Sequence, residues 1–263
     1  MIKLYIINSD KAVERKDFMI QQLESVQGIG VEFVSAIIGK DLDSFTQKLF
    51  ANKIKCSHPE ITWEITSGEV GCYLSHLEVY RRISNDESQN NWFVILEDDA
   101  IISDDFISIV SNPSLMNKIN KSRYDIVVIG FDPGKTLSYN GPSNRYLHSI
   151  KKISRGVNIG YPKYNHYGSF AYMLNRDAAR KLLKFGTENP SLADYLLYAC
   201  PRANVALGIL NKPIVFPNFD FDSSIRENHS FLIKKFEQTK IENITLRQKI
   251  SEYFRKPKYE YLK

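Results

Sequence analysis

Three consecutive carboxylates, Glu97-Asp98-Asp99, follow the apolar run Trp92-Phe93-Val94-Ile95-Leu96. Adjacent acids repel one another and hold their protons more tightly unless a positive charge lies close by. A divalent cation relieves that repulsion. Hard oxygen ligands suit Mg2+ or Mn2+, with phosphate oxygens and water completing the shell. Side chains alternate along an extended segment, which puts Glu97 and Asp99 on one side and Asp98 on the other. A solvated turn leading into a helix N-terminus also favours acids, so the triplet alone leaves both readings open.

The elements around the triplet speak for a site. The run Trp92–Leu96 is wholly apolar, as a parallel strand buried on both faces should be. Ligands of open α/β sheets gather at the carboxyl ends of such strands. Lys3–Asn8 reads as a strand, Val13–Val26 as an amphipathic helix and Val31–Ile38 as a second strand, an opening β-α-β unit. Residues 43–66 resist assignment. A helix is predicted from Gly68 through Ile83, and a buried strand at Tyr124–Gly130. Residues 132–166, rich in Gly, Pro, Ser, Asn, Tyr and Lys, read as a long irregular excursion with room for a hairpin. Gly168–Leu174 reads as a strand, Arg176–Phe185 as a helix, Asp194–Tyr198 as a helix start and Pro213–Phe216 as a late strand.

Composition narrows the classes. The chain has 263 residues, enough for one large α/β domain, and no internal repeat divides it. A net charge of +5 is too small to argue for nucleic acid. Cys56, Cys72 and Cys200 form an odd set with no C-x-x-C pair, which fits a reducing compartment and argues against a disulfide framework or zinc cage. The N-terminal apolar run is too short for a signal peptide, and no stretch approaches the ~18 apolar residues of a membrane span. The expectation is a cytoplasmic protein.

Gly68-Glu69-Val70-Gly71-Cys72-Tyr73-Leu74-Ser75-His76, followed by Val94-Ile95-Leu96-Glu97-Asp98-Asp99-Ala100, resembles glycosyltransferase family 25. Tyr5-Ile6-Ile7-Asn8 with Glu14-Arg15 is similar to the family's first strand and its Glu-Arg-Arg signature, with Lys16 in place of the second Arg. Ala36-Ile37-Ile38-Gly39-Lys40 resembles the segment after the second strand. Tyr167-Gly168-Ser169 through Ala179, and Ser223-Ser224-Ile225, resemble later segments, so the resemblance covers roughly residues 1–228. Pro190-Ser191-Leu192-Ala193-Asp194 departs from the family's Pro-Val-Asp, with Asp194 aligned to its Asp.

The resemblance implies a GT-A-like single domain, with a mostly parallel nucleotide-binding sheet flanked by helices. It implies a UDP-sugar donor, UDP-galactose first, and inverting transfer to a lipid-linked oligosaccharide or other surface glycan. The acidic triplet would play the part of the family's metal motif, with Glu97 and Asp99 as ligands of Mn2+ or Mg2+ and His229 as an additional ligand. Asp194 would be the base that takes the acceptor's proton, against a plain helix cap; Glu69 is its rival. Asn8, Arg15, Ala36, Gly39, His76, Asp98 and Ser169 would form the donor pocket. Arg15 would meet phosphates, and Ala36 and Gly39 would allow close backbone approach.

The catalytic domain is expected to span residues 1–229. Residues 230–263 alternate basic and aromatic or aliphatic side chains, as a segment lying on an anionic inner-membrane surface would, or a helix packed on the domain. Two other functions compete: a catalytically silent relative that binds nucleotide-sugar or glycan, and a metal-dependent nucleotidyltransferase. The second usually wants a Gly-rich phosphate loop, and Asn8-Ser9-Asp10-Lys11 has no Gly.

Overall fold

The computed structural model describes residues 2–24, 26, 28–131, 146–162, 170–221 and 260–261. Its strands are β1 (Ile2–Asn8), β2 (Ile29–Ser35), β3 (Trp92–Glu97), β4 (Ala100–Ile102), β5 (Ile126–Gly130), β6 (Tyr146–Ser154), β7 (Val157–Pro162), β8 (Ala171–Asn175), β9 (Leu207–Leu210), β10 (Val215–Pro217) and β11 (Glu260–Tyr261). Its α-helices are α1 (Val13–Leu23), α2 (Ser44–Ser57), α3 (Ser67–Asn85), α4 (Asp104–Val110), α5 (Pro113–Asn120), α6 (Arg176–Glu188) and α7 (Leu196–Arg202).

One sheet runs in the order β2-β1-β3-β8-β5-β9-β7-β6-β11, with β10 beside β5 and β4 beside β10. β1 is parallel to β2 and β3, and β5 is parallel to β9. β8 runs antiparallel between β3 and β5. Strands β2, β1, β3, β5 and β9 therefore point the same way, the mostly parallel sheet expected from the apolar runs.

Alternation along those strands builds two cores. Leu4, Ile6, Val94 and Leu96 pack with Met19 of α1 and with Phe106 and Ile109 of α4. Tyr5, Ile7, Phe93 and Ile95 pack on the other face, with Tyr73, Leu77 and Ile83 of α3, Ala179 and Leu182 of α6 and Cys200 of α7. Burial on both faces is why these strands read as unbroken apolar runs rather than as alternating ones.

The unassigned stretch 43–66 contains α2, capped where Asp43 accepts from Thr46 N–H. The excursion at 132–166 does hold a hairpin. β6 and β7 pair antiparallel, and Gly156, at φ +77°, turns the chain between them. The basic tail lies outside the described residues, except for residues 260–261, whose backbone pairs with β6. Among the described residues, no helix is long and apolar enough to cross a membrane.

α3 is docked by glycine. A Cβ on Gly71 would sit 2.4 Å from the Ile37 carbonyl oxygen and 2.6 Å from Gly39 N, and one on Gly39 would sit 1.7 Å from the Ser67 carbonyl oxygen. Ser75 Oγ accepts from Ile37 N–H at 2.8 Å and donates to the Gly71 carbonyl at 2.7 Å. The loop after β2 and the first turns of α3 thus touch backbone to backbone.

At the opposite end of the sheet, Asp86 gathers Lys3 at 3.0 Å, Tyr5 at 3.2 Å and Arg176 at 3.5 Å, and accepts from Ser88. Burial alone would raise its carboxyl, but the hydrogen bonds from Ser88 and Lys3 prevail and hold it at about 2, below the ordinary 3.8. A depressed folded-state value stabilises above the unfolded value and is lost as pH falls through the folded one. The stability gap between wild type and Asp86→Asn should thus be full at about pH 6 and narrow steadily below about pH 4. Urea midpoints across that range measure it, and a gap of constant size would contradict this assignment.

Candidate active site

Parallel register assembles the site. β1 and β3 place Ile7 opposite Glu97, and β1 and β2 place Asn8 opposite Ser35, so Asn8, Ser35 and Glu97 share one carboxyl edge. Asn8 Nδ2 donates to Asp98 Oδ2 at 2.8 Å, and Arg15 Nη1 to Asp98 Oδ1 at 2.9 Å. Asp98 is buried, and both its oxygens meet protein donors. It turns inward and locks the triplet to β1 and α1. The Arg15 guanidinium also lies 5.3 Å from the Phe221 ring centroid.

Glu97 and Asp99 are partly exposed, while Asp98 between them is buried. The Asp99 carbonyl accepts from Asn218 N–H at 2.8 Å, which ties the triplet to the end of β10.

α3 supplies the opposite wall. Cys72 and His76 stand one turn apart on it and so share a face. His76 Nδ1 lies 2.7 Å from Tyr172 Oη, which lies 2.9 Å from Tyr80 Oη. That buried chain fixes the ring and aims Nε2 toward Glu97 Oε1, 3.5 Å away. His76 Nε2 nevertheless makes no hydrogen bond among the described residues. Sγ of Cys72, a ring nitrogen of His76 and a Glu97 oxygen lie within 4.8 Å of one another.

Cys72 marks where the acids converge. Burial, then Glu97, Asp194, Asp99 and Glu69 in that order, push its thiol well above the ordinary range. Acids of three segments, the strand end, α3 and the loop before α7, thus act on one thiol.

Glu69 has a structural task in this arrangement. Its Oε2 accepts from Thr66 N at 2.7 Å and Thr66 Oγ1 at 3.0 Å, and its Oε1 from Trp63 Nε1 at 3.1 Å. Thr66 Oγ1 accepts in return from Glu69 N–H at 3.1 Å, a reciprocal capping box at the start of α3. The sequence reading missed this, although Thr66-x-x-Glu69 spells it. Seven residues along the helix, His76 turns to Tyr172 and Glu97 instead.

Asp194 lies two residues before α7. α7 begins at Leu196, with Tyr195 at the cap position and no side-chain cap bond. The loop carrying Asp194 is held by a residue that the sequence reading passed over. Fully buried His58, just after α2, places Nε2 2.7 Å from Ser191 Oγ, and its ring packs on Tyr195 and Tyr198 at 4.7 and 4.1 Å. Burial lowers its pKa from the ordinary 6.5, which favours the neutral ring. Nothing in the local sequence signals the contacts with Ser191, Tyr195 and Tyr198, which lie more than a hundred positions away.

Gly39 uses its missing Cβ against the α3 backbone, and Ala36 N–H donates to the Asn8 carbonyl at 2.9 Å. Ser169 and His229, expected in the donor pocket and metal shell, lie outside the described residues.

Residues 1–197 match the family model described as "Glycosyltransferase family 25 (LPS biosynthesis protein)". The chain is 26% identical over 185 residues to Procollagen galactosyltransferase 2 of Mus musculus, covering 69% of this chain and 27% of the relative. It is 30% identical over 188 residues to a Glycosyltransferase 25 family member of Anopheles gambiae, covering 69% and 28%. The chain thus spans about a quarter of the length of these curated relatives. Among solved structures, a glycosyltransferase involved in glycosylation of the major capsid of PBCV-1 aligns at TM-score 0.45 and 8% identity, over 84% of this chain and 94% of that one.

Proposed function

The chain belongs to glycosyltransferase family 25, and we propose that it is an inverting, divalent-metal-dependent hexosyltransferase acting on a lipooligosaccharide or other surface-glycan acceptor. UDP-galactose is the first candidate donor, since relatives 26% identical over 69% of the chain are named galactosyltransferases. One observation carries the reading: Glu97 and Asp99 stand partly exposed at the carboxyl edge of the sheet, on either side of buried Asp98, which Asn8 and Arg15 hold.

Each residue then has a role. Glu97 and Asp99, partly exposed beside the inward-turned Asp98, are the donor set for Mn2+ or Mg2+, with His229 as a further ligand. Bound there, the cation would neutralise the leaving diphosphate. Asn8, Arg15, Ala36, Gly39, His76, Asp98 and Ser169 shape the donor pocket; Asn8 and Arg15 do so by holding Asp98 in place. Asp194 is the base of choice, because both oxygens of Glu69 already accept hydrogen bonds from Thr66 and Trp63. The acceptor oxygen bonds to the sugar's C1 as the bond from C1 to the diphosphate oxygen breaks. The hydroxyl proton passes to Asp194, and configuration inverts.

Residues 1–229 form the catalytic domain in this reading. The basic segment 230–263 brings it to the cytoplasmic face of the inner membrane, where a lipid-linked acceptor waits.

A thermal-shift panel tests the donor. UDP-galactose, UDP-glucose, UDP-N-acetylglucosamine and GDP- or CMP-sugars are each compared with and without Mn2+. UDP-galactose at a hundredfold excess over its dissociation constant should add about 2.7 kcal/mol, roughly 5–10 °C, and only with Mn2+. A panel in which no donor stabilises the chain would defeat the reading.

A further inference from the structure

His76 Nε2 presents a problem that the donor site leaves unsolved. The residue is 2% exposed, and this nitrogen makes no hydrogen bond among the described residues. Buried polar atoms are almost always paired, so one that is not calls for a partner. The atoms nearest in kind to such a partner are metal ligands, namely Cys72 Sγ and a Glu97 oxygen, all three groups within 4.8 Å of one another.

We propose that Cys72, His76 and Glu97 form a binding site for Zn2+ or a cation of its class. A thiolate, an imidazole and a carboxylate are the ligand types such cations take, with a fourth position left open. Mg2+ and Mn2+ prefer the all-oxygen set at Glu97 and Asp99. The Cys72 and His76 spacing of one helical turn lets both reach one ion from the same face of α3. Tyr172, on His76 Nδ1 at 2.7 Å, plays the outer partner that orients a metal-bound ring. Tetrahedral Zn2+ separates its ligand atoms by about 3.3–3.8 Å, given bonds of about 2.0–2.3 Å. His76 Nε2 and Glu97 Oε1 already stand 3.5 Å apart, so closure asks only a small movement of Cys72. Binding converts the Cys72 thiol to a thiolate and releases its proton to solvent. The nearby carboxylates of Asp99, Asp194 and Glu69 add attraction for a dication.

Glu97 belongs to both ligand sets, so a zinc ion held here takes it from the donor's cation. The competition rests on the proposed function; the binding itself does not.

Co2+ is the spectroscopic probe for the full-length chain. One equivalent should bind and produce a near-ultraviolet thiolate-to-cobalt band, which Zn2+ then bleaches. Cys72→Ala should remove the band, whereas replacing exposed Cys56 by serine should leave it unchanged. Tyr172→Phe should weaken Co2+ binding about tenfold with the band retained. Far-UV circular dichroism checks each variant's fold, and Cys72→Ser replaces Cys72→Ala if that variant does not fold. No band, or a band that survives the loss of Cys72 in a folded variant, overturns the site. In Mn2+-supported turnover, Zn2+ should inhibit wild type, and the Cys72 variant should resist. Equal inhibition of both would refute the competition alone, while a chain that binds Co2+ but never turns over would defeat the proposed function alone.

Discussion

Asp99→Ala will lose metal-dependent turnover by on the order of 10³-fold, about 4 kcal/mol of transition-state stabilisation, while its unfolding midpoint stays near that of wild type. Asp98 is committed inward to Asn8 and Arg15, whereas Glu97 and Asp99 are partly exposed and, in the proposed function, hold the cation. In that proposed role, the Asp99 change would remove one ligand of the cation and that ligand's negative charge. The fold should tolerate the change, because the bond that ties residue 99 to Asn218 runs through its backbone carbonyl. Steady-state rates with UDP-galactose across a Mn2+ titration decide the matter. Asp98→Asn makes the contrast: it weakens a buried ion pair with Arg15 at 2.9 Å and should lower stability as well as rate. If Asp99→Ala turned over within a few-fold of wild type, the cation would have to be held elsewhere and the role given to the triplet would be wrong.

Gly71→Ala should produce the largest loss of stability of any single methyl addition in α3, about 3 kcal/mol or more, or a fall of roughly 6–12 °C in melting temperature. In an ordinary helix interior the same change stabilises by up to about 1 kcal/mol, since Ala is the better helix former. Here the new Cβ would lie 2.4 Å from the Ile37 carbonyl oxygen and 2.6 Å from Gly39 N. Both obstacles are backbone, so no side chain can swing away; α3 or the loop after β2 must move. That loop begins at Ala36, hydrogen-bonded to Asn8, so donor affinity should fall along with stability. Gly30→Ala is the control, because its Cβ would meet only Lys3 Cγ at 3.8 Å. Thermal melts of the two variants in parallel make the test. A Gly71→Ala protein as stable as wild type would mean that the close approach of α3 and the loop is not a constraint on the fold.

The motif around α3 shows how far residue patterns reach. Gly71 and Ser75 stand out in the sequence as parts of a family-like string, but their tasks are docking ones: Gly71 admits the Gly39 backbone, and Ser75 ties down Ile37. Glu69, a rival of Asp194 for the catalytic base, is held by Thr66 and Trp63. The capping box was legible in Thr66-x-x-Glu69, whereas the contact with Trp63 was not. Asp194 was read as either cap or base, and it lies two residues before α7, which starts at Leu196 with Tyr195 at the cap position. His58, which braces the Asp194 loop through Ser191, had no local signature at all.

The linear order of residues was sufficient for the strands β1, β3 and β5, the helices α1, α3 and α6, and the placement of three acids at a buried strand's end. Those features follow from short-range rules, in which unbroken apolar runs, helical spacing and strand-end polarity are written within a few residues of one another. Which acid faces inward, how Cys72 and His76 come to lie beside Glu97, and why His76 Nε2 makes no hydrogen bond among the described residues were decided only by the assembled sheet and its helices. Apart from Cys72 and His76, neighbours on α3, those contacts join side chains from about 20 to more than 100 positions apart. Their meeting depends on strand order and register, quantities that no local stretch of sequence contains.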